Sequence, residues 1–76
     1  MNGKEMIHAA IEAICTRGQA CLLSHTGELI VFTSYRVCAG EAISFTAMSV
    51  DAEGQVHEWS LKLDAEKMYQ RFRNVA

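Results

Sequence analysis

Three histidines (His8, His25, His57) and three cysteines (Cys15, Cys21, Cys38) are the side chains best suited to metal binding or thiol chemistry. A zinc site needs four such ligands, usually supplied as close pairs. Cys21 and His25 make one close pair, and no CxxC or second pair completes a set, so no metal site is expected. Cys38 falls in a turn and should be the most exposed thiol, whereas Cys15 and Cys21 read as small core residues. An odd cysteine count without a secretory signal points to free thiols instead of a disulfide framework.

Catalytic constellations are equally hard to find. The serines and the carboxylates Glu28, Glu41 and Glu58 form no nucleophile elbow or acid–base pair, and no glycine-rich loop opens a helix to cradle phosphate. Neither catalysis nor a cofactor is expected. The net charge is −2 with lysines and arginines scattered singly, so no basic stripe could neutralise a phosphate backbone, and no nucleic-acid partner is expected. His8 and Glu12 interrupt the apolar run from Met6 to Cys15, which suits neither a signal peptide nor a membrane span. The expectation is a cytoplasmic protein of one domain, residues 1–76, with no membrane partner.

The elements follow from hydrophobic period and from glycines. Over residues 4–17, Met6, Ile7, Ala10, Ile11, Ala13 and Ile14 recur at the spacing of one helical face, with Asn2 and Glu5 placed to form a capping box and Gly18 to end the helix. Over residues 65–75, Met68, Tyr69, Phe72 and Val75 form a second apolar stripe behind an Asp64 cap. Between the helices lie three candidate turns ending in Gly27, Gly40 and Gly54. Each suits a three-residue hairpin loop with a left-handed last residue. Strands are therefore predicted over residues 19–24, 28–37, 41–50 and 55–63.

Loop length fixes register, and register fixes which side chains share a face. These loops pair Ser24 with Glu28, Val37 with Glu41 and Asp51 with Gln55, which places Cys21, Leu23, Leu29, Val31, Tyr35, Val37, Ile43, Phe45, Ala47, Trp59, Leu61 and Leu63 together. Both helices are expected on that face. The predicted fold is an α+β, two-layer α-β-β-β-β-α domain with a four-stranded antiparallel meander.

The other face then has no cover from its own chain, and Leu22, Ile30, Phe32, Met48, Val50 and Val56 form an apolar patch on it. Covering such a patch offers on the order of 10 kcal/mol before the cost of association. A protein interface through these six residues, most simply a homodimer, is the expectation. The corresponding function is a non-enzymatic accessory or regulatory role, including the class of mobile-element or phage inhibitors that block a larger host complex. The alternative is a small-molecule binding module or small enzyme whose pocket forms at a dimer seam around His57, Tyr35 and Cys38.

Overall fold

A computed structural model describes residues 1–75. Helix α1 (Gly3–Arg17) is followed by strands β1 (Ala20–Ser24), β2 (Leu29–Val37), β3 (Ile43–Val50) and β4 (Val56–Leu63), then α2 (Ala65–Arg71) and β5 (Phe72–Val75). The five strands form one antiparallel sheet in the order β4-β3-β2-β1-β5, with both helices packed on one face. The two-layer α+β reading holds, with one strand more than the sequence suggested.

The helix ends have the chemistry expected of them. Asn2 Oδ1 accepts the Glu5 N–H at 2.8 Å while the Glu5 carboxylate accepts the Asn2 N–H at 3.0 Å, which satisfies two of the four free donors at the start of α1. Gly18 closes the helix in the left-handed region, and Asp64 accepts the Lys67 N–H at 2.8 Å to start α2. The second helix is shorter than its stripe implied. After Arg71 the backbone turns extended at Phe72, and Phe72–Val75 pairs with β1. Phe72 is buried in this strand, which also satisfies the outer edge of β1, where Ser24 stands opposite Phe72 and Leu22 opposite Val75.

The first and third hairpins have the expected loops, with Ser24 and Asp51 donating to the carbonyls of Glu28 and Gln55 and Gly27 and Gly54 at positive φ. In the middle hairpin the closing pair moves one residue toward the C-terminus on both strands, a register shift of two. Cys38 donates to the Ala42 carbonyl, and Val37 stands opposite Ile43 instead of Glu41. Because both sides shift, the faces of the C-terminal half of β2 and of β3 are unchanged.

A second shift does change the faces. Phe32 pairs with Ala47 and Ser34 with Thr46, which leaves Thr33 as an extra residue in β2. Such a bulge moves every side chain before it to the opposite face. Leu22, Ile30 and Phe32 therefore point under the helices, together with Phe45, Ala47, Leu63, Met6, Ala10 and Met68. Phe32 and Leu22 are completely buried, and the Phe32 ring stacks on Phe45 at 4.4 Å and meets Phe72 edge-on at 5.7 Å. Cys21, Leu23, Leu29 and Val31, expected inside, lie on the open face. The exchange of Leu29 for Ile30 and of Leu23 for Leu22 is even in size, and the gain in buried apolar surface comes from Phe32 in place of Val31.

Candidate protein-binding face

The open side of the sheet divides into two regions. At one end, Leu23 stands opposite Leu29, Cys21 opposite Val31, Val31 opposite Met48, and Val50 opposite Val56. At the other end, Ser34 donates to the Thr46 hydroxyl at 2.7 Å, next to Arg36, Ser44, Ser60 and Lys62. Leu29, Val50 and Val56 are the exposed part of the apolar end, 60%, 63% and 61% accessible, while Cys21, Leu23, Val31 and Met48 are half-buried. Of the six residues expected to form an interface, Met48, Val50 and Val56 are on this patch. Leu22, Ile30 and Phe32 are not, because the bulge at Thr33 turns them into the core. Leu23, Leu29 and Val31 take their places.

The chemistry-bearing residues are dispersed. Cys38 lies beside Ala42 and His57 opposite Ser49; Ala42 and Ser49 are seven strand positions apart, about 23 Å. Within one chain, His57, Tyr35 and Cys38 therefore do not line one pocket. Tyr35 instead meets Cys15, with the thiol 3.9 Å from its hydroxyl, and this contact raises the phenol above its ordinary pKa. Cys15 is exposed, not a core residue, and Cys38 is half-buried with its thiol donating to the Arg36 carbonyl at 3.8 Å. The three cysteines are free, and no group of three or more potential metal ligands occurs among the described residues. Between α1 and α2 a cleft of about 470 Å³ carries Lys4, His8, Glu41, Asp64 and Glu66 on its walls, and the Asp64 carboxylate is already engaged in capping α2.

The chain matches no family model, no curated protein and no solved structure. No described helix is long and apolar enough to cross a membrane.

One polar cluster borders the patch. Asp51 Oδ1 accepts the Glu53 and Gln55 N–H groups at 2.9 Å each, and Asp51 Oδ2 meets His57 Nε2 at 2.8 Å. The His57 contact, followed by the Gln55 N–H bond, holds the Asp51 carboxyl below its ordinary pKa. A lowered carboxylate pKa stabilises the fold fully above the unfolded value of about 4, and the contribution is lost as pH falls through the lower folded value. Asp51→Asn keeps an oxygen for the two N–H groups but removes the charge. Its melting temperature is expected to lie below that of the parent at neutral pH and to converge on it well below pH 4, as thermal melts across a pH series would show.

Proposed function

We propose that this protein acts without catalysis, by binding protein through the apolar end of its open sheet face, with a second copy of the chain as the partner. The observation that carries this reading is the contiguous set Leu29, Val31, Met48, Val50 and Val56, whose most exposed members are left about 60% accessible by the chain's own helices. Two such faces stacked about 10 Å apart would interdigitate these side chains as the layers of a sandwich do. A two-fold axis makes the same patch serve both partners. The cellular role that fits such a surface on a small domain is accessory or regulatory, including inhibition of a larger complex.

Val50→Glu is the direct test. Val50 is largely exposed, so in the monomer the substitution costs no more than about 1 kcal/mol of strand preference. In a stacked dimer it places an unpaired carboxylate in the interface and weakens association about 100-fold or more. Light scattering coupled to size exclusion should show the variant folded and smaller in mass than the parent. An unchanged mass rejects self-association through this face.

A further inference from the structure

Strand β4 forms one edge of the sheet, and its outer row of backbone groups has no strand partner among the described residues. Natural edge strands are usually shortened, bulged, or blocked by proline or charge. The opposite edge, β5, follows that rule: it is four residues long, carries Arg73, and is irregular in its pairing with β1. Strand β4 does not. It runs eight residues in unbroken register with β3, from Val56 opposite Val50 to Leu63 opposite Ile43, and contains no proline.

The polarity of this edge can be read from the hairpin that leads into it. Asp51 donates to the Gln55 carbonyl, so Asp51 and Gln55 are a hydrogen-bonded pair. Hydrogen-bonded and non-bonded pairs alternate along an antiparallel ladder, so His57, Trp59, Leu61 and Leu63 turn their backbone groups toward β3. Val56, Glu58, Ser60 and Lys62 turn theirs outward.

We infer that β4 pairs antiparallel with β4 of a second copy about a two-fold axis at Ser60, joining the two sheets into one. An axis normal to the sheet requires a residue to face its own copy, which leaves few registers. Centring on Glu58 or Lys62 opposes like charges directly. Centring on Ser60 sets Glu58 opposite the partner's Lys62 and Lys62 opposite the partner's Glu58, and these are the residues whose N–H and C=O groups point outward. The same register places Trp59 opposite the partner's Leu61 in the non-bonded pairs, where side chains come closest. Trp59 and Leu61 lie on the helix side and remain partly accessible beside Ile30 and Phe72, so they gain cover from each other across the axis. Centring on Trp59 or Leu61 also satisfies the backbone but sets Ser60 opposite Glu58 or Lys62 and leaves the opposite charges apart, so charge selects the register centred on Ser60 and the Trp59–Leu61 contact agrees with it.

This contact uses the edge, whereas the proposed function uses the face, and the two are separable. The test is sedimentation equilibrium of the full chain carrying Val50→Glu, so that the open face contributes no association. That protein is expected to be a dimer. Adding Glu58→Lys turns two attractive cross-strand pairs into two repulsive ones and should raise the dimer dissociation constant about tenfold or more. Adding Lys62→Glu should do the same, and combining both exchanges should restore the starting value to within about threefold. Far-UV circular dichroism checks that each variant is folded, and the paired exchange keeps the test valid if one single variant is not. A monomeric Val50→Glu protein at every concentration overturns the inference, as does indifference to either single exchange or failure of the pair to recover. If the parent and Val50→Glu share one mass that the charge exchanges control, the edge stands and the stacked face falls.

Discussion

Phe32→Glu is expected to abolish folding. The ring is fully buried between Phe45 and Phe72, and a carboxylate there would lose both aromatic contacts and sit unpaired in an apolar interior. Truncation of such a phenylalanine to alanine alone costs about 3–5 kcal/mol, and an unpaired buried charge adds to that. A domain of this length has only about 4–11 kcal/mol of stability in total. The adjacent Val31→Glu is the informative control. Val31 lies half-buried on the open face opposite Cys21 and Met48, so its substitution should leave a cooperatively folded chain that loses no more than about 2 kcal/mol. Urea melts followed by circular dichroism decide between the two. A folded Phe32→Glu beside an unfolded Val31→Glu would mean that β2 carries no bulge and that the faces are the reverse of those described.

That contrast identifies where the sequence was and was not legible. In β3 and β4 one face is apolar and the other carries Ser44, Thr46, Glu58, Ser60 and Lys62, so only one phase buries the right residues, and the structure has it. In β1 and the first half of β2, Ala20, Cys21, Leu22 and Leu23 and then Leu29, Ile30, Val31 and Phe32 are apolar on both faces. Pattern alone could not choose a phase there, and extrapolating the clear half into the ambiguous half gave the wrong one. A signal was nevertheless present. Ile30 and Phe32 keep the period of two, Tyr35 and Val37 keep it again, and the step between Phe32 and Tyr35 is three, with the polar pair Thr33-Ser34 between them. An odd step between two in-phase runs is what a bulge writes into a sequence.

The candidate site inherits this division. Met48, Val50 and Val56 belong to the legible half and were placed correctly on the open face, whereas Leu22, Ile30 and Phe32 belong to the ambiguous half and were exchanged for Leu23, Leu29 and Val31. The existence of an uncovered apolar patch survives because both faces of the ambiguous half are apolar: whichever set turns inward, the other remains outside. The fifth strand was hidden for a different reason. Met68, Tyr69, Phe72 and Val75 fit a helical stripe, so local period could not tell a helix from a strand there. What separates them is a long-range demand, the unpaired edge of β1, which periodicity does not register.

Gly3→Ala tests the other layer of the fold, the contact between the two helices. Gly3 is buried in the first turn of α1, and a Cβ added there would overlap the carbonyl oxygen of Ala65, the first residue of α2. In an ordinary first turn, alanine in place of glycine helps by up to about 1 kcal/mol. Here the obstructing atom is backbone, so a side-chain rotation cannot relieve the overlap. Either the helix starts move apart, which disturbs the packing of Met6 and Met68, or the first turn of α1 unwinds and gives up its capping box. The first route costs about 3 kcal/mol as overpacking, the second about 1 kcal/mol as a lost cap. Asn2→Ala removes the cap and introduces no overlap, so it calibrates the second route. Gly3→Ala is expected to lower stability in urea melts by clearly more than Asn2→Ala. If the two losses are equal, the helix end frays to accommodate the methyl group and the close approach at Ala65 is not required by the fold; if Gly3→Ala stabilises the protein, the two helix starts do not meet there.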